Sequence, residues 1–195
     1  MSRKLRISTS LVLLGLFSGA AQASAADASD PRRYEVMTPR SDIKAGAAHA
    51  EVHAPLQVVR DAVTNYEAYG DYIHRFEKAK VVGRHGEAAD VYLQVPILKG
   101  ASKVWAVLHF DAAKPSANGD DVVVVGRMLQ GNVKRLDARW HLSKIDDQNT
   151  NLDLELLIVP DWIVPVPNSL VTREASNAAS KAVKGLRSAS EQHAR

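Results

Sequence analysis

The chain has 195 residues, with 25 lysines and arginines against 22 aspartates and glutamates, seven histidines and no cysteine. No disulfide can form, so a packed core must hold the fold, and one domain of this length can bury one. The net charge is +3, and with the three bases of the N-terminal segment set aside the rest is near neutral, which gives no basic footprint for nucleic acid and excludes that class of partner.

A basic MSRKLR, an apolar ISTSLVLLGLFSG and the small-residue AQASA open the chain. That order is the order of an export signal. Residues 1–25 read as a signal peptide cleaved after Ala23 or Ala25, and the mature protein as periplasmic. The apolar core is too short for a permanent span, and no later stretch is long and apolar enough to be one. Without cysteine, no residue can carry a lipoprotein anchor. Loss of Arg3, Lys4 and Arg6 leaves 22 bases against 22 acids, a near-neutral mature surface.

Residues 26–42 are polar and read as a tail or short pre-strand ahead of one domain at 43–193. In AAHAEVHA, Ala48, Ala50 and Val52 alternate with His49, Glu51 and His53, the period of a half-buried strand. Pro55 suits a helix start. Leu56, Val59, Val63 and Tyr66 then recur on one helical face until Gly70 interrupts it. Strand-like runs follow near 78–84, 89–97, 102–112, 121–130, 134–145 and 151–159, separated by HGE, LKG, PSANGD, QGN and DDQNTN. Such clusters are turn signals. A long helix from about 167 to 190 closes the chain, with a small-residue stripe of Val171, Ala175, Ala178, Ala182, Val183 and Leu186.

Charge pairing sets the hairpin registers. A three-residue GNV loop places Met128 opposite Leu136, Gly126 opposite Ala138 and Val124 opposite Trp140, with Arg127 facing Asp137. A turn centred on Asp147 places Trp140 opposite Leu154, Arg139 opposite Glu155 and His141 opposite Asp153. Unlike charges then meet across both hairpins. Extension to the preceding run sets Leu108 beside Val124, Ala106 beside Gly126, and Trp105 beside Arg127 in cation–π range. One face of the sheet then holds Val104, Ala106, Leu108, Phe110, Val124, Met128, Leu136, Ala138, Trp140, Leu154 and Leu156, and no charge.

These elements predict an α+β fold. A curved antiparallel sheet of about six to seven strands wraps the long C-terminal helix, with short helices after the first strand. Alanines along the helix stripe leave a hollow between helix and sheet.

The element order, the early APLQVVRDAVTNYEAYGDYIHRFEKAKVV and the late LDLELLIVPDWIVPVPNSLV before an Ala-rich helix resemble the START-like (SRPBCC) superfamily. The nearest branch is the polyketide cyclase/coenzyme-Q-binding group, and the resemblance runs over roughly residues 43 to 190. It implies a helix-grip fold with an apolar cavity for lipids, quinones, polyketides or sterols. Binders and carriers are the common members, cyclases and hydrolases the less common ones, and no universal catalytic motif carries over.

In that setting, Pro160, Trp162, Pro165 and Pro167 turn the last strand into the last helix. Trp162 either reaches over the cavity mouth or packs under the helix start. Tyr66, Tyr69, Tyr72 and Phe76 form either a lid or a row of core aromatics. The expected ligand contacts are Tyr69, Tyr72, Phe76, Leu93, Ala106, Leu108, Met128, Ala138, Trp140, Leu154 and Trp162. No cofactor is expected. The histidines at 49, 53, 74, 85, 109, 141 and 193 have no metal-binding spacing, and no nucleophile elbow, phosphate loop or dinucleotide fingerprint occurs.

Three functions fit. The leading one is a periplasmic, monomeric carrier of an apolar small molecule or lipid, with transient contact to a membrane or an envelope protein. The second is a cyclase or hydrolase, which needs an acid or base inside the cavity; Arg127, His109, Tyr69 and Asp161 are the candidates. The third is an envelope interaction module with a filled interior.

Overall fold

Alternating apolar runs become strands, and in the computed structural model, which describes residues 30–39, 41–97, 100, 102–161 and 166–195, they join one antiparallel sheet. In chain order the elements are β1 (Arg32–Val36), β2 (Ala45–Val52), α1 (Leu56–Thr64), a 3-10 turn at Tyr66–Ala68 and α2 (Tyr69–Tyr72). Then come β3 (Lys78–His85), β4 (Ala88–Ile97), β5 (Ser102–Phe110), β6 (Lys114–Pro115), β7 (Asp121–Gly131), β8 (Arg135–Lys144), β9 (Thr150–Val159) and α3 (Asn168–His193). Across the sheet the order is β1-β2-β9-β8-β7-β5-β4-β3, with β6 paired to β7 off that path. The sheet is curved and unclosed, and the long C-terminal helix lies in its grip. Among the described residues it has nine strands rather than six or seven. The extra ones are β1, within the stretch read as tail or pre-strand, and the two-residue β6.

The first helix ends earlier than expected. Asn65 leaves the helical region (φ −82, ψ 67), whereas Gly70 sits exposed inside α2. The break follows from the aromatics after it. Tyr66 stacks on Phe110 at 4.7 Å, and the Tyr69 hydroxyl donates to the Val63 carbonyl at 2.6 Å. Both rings are drawn to the sheet, and a continuous helix could not deliver both.

Both central hairpins have the expected register. Val124 faces Trp140, Gly126 faces Ala138 and Arg127 faces Asp137; Trp140 faces Leu154, Arg139 faces Glu155 and His141 faces Asp153. The β5–β7 pairing differs by four residues at Leu108 and Phe110, which face Met128 and Gly126, and by five beyond the irregularity at Val107/Leu108, where Ala106 faces Gly131. PSANGD closes a small β6–β7 hairpin around Gly119 (φ 78), which shifts the centre of the turn along the chain. Over Leu108–Phe110 the shift is even and preserves faces; at the irregularity β7 carries one extra residue, Leu129, and Val104 and Ala106 remain buried, so the inward set of β5 survives. The Trp105–Arg127 contact does not form. Trp105 stacks on Tyr92 at 6.1 Å, and Arg127 donates to Asp111 at 2.8 Å.

Small residues let α3 come close. A side chain at Gly46 of β2 would collide with the Ser176 backbone and lie 2.5 Å from the Thr172 carbonyl oxygen. Val171, Ala175, Ala178, Ala182, Val183 and Leu186 are all buried on the helix. Leu108, Leu142, Leu152 and Leu186 are fully enclosed, each contributing about 1.5–3 kcal/mol by its burial.

Candidate functional site

The inward faces of four strands and α3 do not close completely on each other. Between them lies a cavity of about 70 Å³. Its walls are Leu93 and Val95 from β4, Val104, Ala106, Leu108 and Phe110 from β5, and Leu136, Ala138 and Trp140 from β8. Leu154, Leu156 and Ile158 come from β9, Ala178 and Ala182 from α3, and Tyr69 and Phe76 from the segment around α2. Small-molecule sites span about 300–1,000 Å³, so this closed interior must widen to take a ligand.

Of the expected contacts, Tyr69, Phe76, Leu93, Ala106, Leu108, Ala138, Trp140 and Leu154 meet at this cavity. Met128 packs on the core without lining it; its sulfur leans over Gly131, beside the register shift between β5 and β7. Tyr72 turns to the opposite side of its segment, 6.3 Å from the His193 ring. Trp162 lies outside the described residues. The aromatic row therefore divides. Tyr66 is core, Tyr69 and Phe76 are cavity wall, and Tyr72 faces a separate groove.

One lining residue breaks the apolar pattern. Glu174, four residues before Ala178 on α3, is the single charged residue on the wall among the described residues. Arg75 donates to it from Nη2 at 2.9 Å, and the two side chains are only 24% and 20% exposed. The Arg75 Nε is buried and has no hydrogen-bond partner among the described residues. On the far side of Arg75 lies a groove of about 680 Å³, whose lining includes Tyr72, His74, Pro96, Lys181 and Lys184.

The candidates for acid–base chemistry lie elsewhere, Tyr69 excepted. Its phenol pKa is pushed well up by burial and by Tyr66, opposed by a hydrogen bond with Trp140, and its proton is already given to Val63. His109 is on the outer face, Nδ1 2.6 Å from Asp90. Arg127 is exposed there too, and Asp161 is exposed beside Lys134 at 3.5 Å. The outer face also holds Asp153, which accepts from Tyr34 at 2.9 Å and lies 3.1 Å from His49 Nδ1. That arrangement ties β1, β2 and β9 together and leaves His141 to Asp121, at 3.4 Å. Among the described residues, no group of three or more histidines or carboxylates is placed to hold a metal. Nor is any helix among them long and apolar enough to cross a membrane.

No protein-family model matches the chain, and no curated protein sequence matches it either. Solved structures do. A START superfamily protein from Mycobacterium smegmatis is 19% identical with a TM-score of 0.64, over 75% of this chain and 97% of its own. A STAR-related lipid transfer protein from Xanthomonas axonopodis is 15% identical with a TM-score of 0.68, over 84% and 95%. The Zhui aromatase/cyclase from Streptomyces sp. R1128 is 15% identical with a TM-score of 0.64, over 76% and 94%. At such identities the likeness is one of fold.

Proposed function

We propose that this chain, whose fold is the START-like (SRPBCC) helix grip, is a periplasmic carrier of an apolar small molecule such as a lipid, quinone or polyketide-like compound. The observation that carries the reading is the cavity wall, apolar throughout save Glu174 and built from residues of four strands and α3. Apolar surface moved from water into such a site contributes roughly 25 cal/mol per Å². Widening is mechanically available. Alanines 106, 138, 178 and 182 form opposing walls, and Phe76 stands on an irregular segment between α2 and β3. The lipid-transfer and aromatase/cyclase names among the fold relatives support an apolar ligand here. The N-terminal basic, apolar and small-residue succession supports export, and N-terminal sequencing of the cellular protein is expected to begin at Ser24 or Ala26; a chain starting at Met1 or Ser2 contradicts it.

One observation favours a second reading. A cavity of about 70 Å³ suits an interaction module with an unused interior. Titration of the mature protein with Nile red, a neutral apolar dye, separates the two. A carrier binds it saturably at one site, and Ala138→Leu, which fills the cavity, weakens binding at least tenfold while the protein still melts cooperatively. A module binds the dye in neither form.

A further inference from the structure

We infer that the Arg75–Glu174 pair is the latch of the cavity and selects an amphiphile with an anionic head, a carboxylate or a phosphate. This rests on the carrier reading and specifies its ligand. The pair stands at the boundary of two spaces. Glu174 belongs to the wall of the apolar cavity, and Arg75 to the wall of the larger groove beyond it. Phe76, the next residue after Arg75, also lines the cavity. A displacement of this segment therefore parts the ion pair, withdraws Phe76 and joins the two spaces. The cavity, too small for a ligand when closed, gains room in the direction of Glu174, the one charged residue on its wall among the described residues.

The energetics choose the head group. Parting a shielded ion pair strands a charge unless another partner replaces the lost one. A neutral head offers Arg75 nothing equivalent. An anionic head takes the place of Glu174 on the guanidinium, whose planar fork donates to a carboxylate or phosphate on two N–H groups at once, while the parted Glu174 carboxylate, already partly exposed, turns to the water of the groove. Arg75 has a donor to spare, because its buried Nε is unpartnered among the described residues. The groove adds Lys181 and Lys184 on α3, against Asp71 on the other wall; Lys184 is shared with Asp30 at 2.6 Å, and His74 is exposed nearby. The tail then lies between sheet and α3, with the head at Arg75.

The test compares matched probes on the mature protein. They are cis-parinaric acid against its methyl ester, and dodecyl phosphate against dodecanol as competitors for Nile red. The wild type is expected to favour the anionic member of at least one pair tenfold or more. Arg75→Gln should cut that preference below threefold; because it also releases the latch, ester or alcohol affinity should hold or rise, and saturable binding of either shows an intact cavity. Glu174→Gln keeps Arg75 and removes its internal competitor, so affinity for the anion should rise at least threefold. Equal binding of both members of each pair by the wild type overturns the latch but leaves the carrier. So does a preference that survives Arg75→Gln, or an anion affinity unmoved by Glu174→Gln. Failure to bind any of the four probes or Nile red overturns the carrier reading, and the latch with it.

Discussion

The two sides of the helix grip are built differently. Along β2, α3 lies backbone to backbone, because Gly46 presents no side chain and Ala175 and Ala179 fill little space. Along β4 and β5, side chains and a cavity separate helix from sheet. One side is a brace and the other a container. The difference traces to side-chain size at facing positions: glycine against alanine permits contact, whereas leucine, valine and phenylalanine hold the surfaces apart. A fold that must open for a ligand can do so on the container side while the brace keeps the helix attached.

This contrast can be broken by substitution. Trp140→Ala, in the floor between the two sides and buried at 2% exposure, should cost about 3–5 kcal/mol, the range for truncating a large core aromatic. A loss under about 1 kcal/mol in denaturant unfolding would mean that the floor is not packed as described. Gly46→Ala tests the brace. Its new carbon meets helix backbone rather than a movable side chain, and overpacking of that kind costs about 1–3 kcal/mol. Leu93→Ala tests the container. Half-buried and already beside empty space, it falls short of a full core truncation and should cost less, about 1 kcal/mol, the centre of the range for point substitutions, and raise the capacity for Nile red. Equal losses for Gly46→Ala and Leu93→Ala with unchanged dye binding would erase the distinction.

The smallest expected effect is on the outer face. Hydrogen bonds from His109 first, and from His85, lower the Asp90 carboxyl pKa below its ordinary 3.8. A depressed folded-state pKa contributes stability above the unfolded value, and that stability is lost as pH falls through the folded one. Asp90→Asn should therefore melt slightly below the wild type at neutral pH, and the two curves should converge in acid below 3.8. A gap that persists in acid would assign the loss to geometry rather than to charge.

The inward-facing residues were legible because alternation and charge pairing agree along β7, β8 and β9. Opposed Arg139–Glu155 and Arg127–Asp137 leave one register for both hairpins. The β5 register was not legible, since PSANGD allows turns at more than one centre and an even shift keeps every side chain on its face. β1 and β6 are too short and too polar to announce themselves. Glu174 was within reach: it sits three residues after Val171 and four before Ala178, on the apolar stripe. Its partner was not, because Arg75 lies in an irregular segment whose position depends on Tyr66 and Tyr69 docking against the sheet. Tyr72 and Tyr69 share a helical spacing yet face different spaces, since a single turn of helix at α2 separates cavity from groove.

The central claim is that the space between sheet and α3 carries an apolar ligand. Mass spectrometry of an organic extract of the protein, purified from its native cells without detergent, tests it most directly. The account predicts one apolar compound at close to one equivalent per chain, absent from extracts of Ala138→Leu; an anionic head on that compound bears on the latch alone. An extract holding no such compound, or the same compound in equal amount from both proteins, contradicts it.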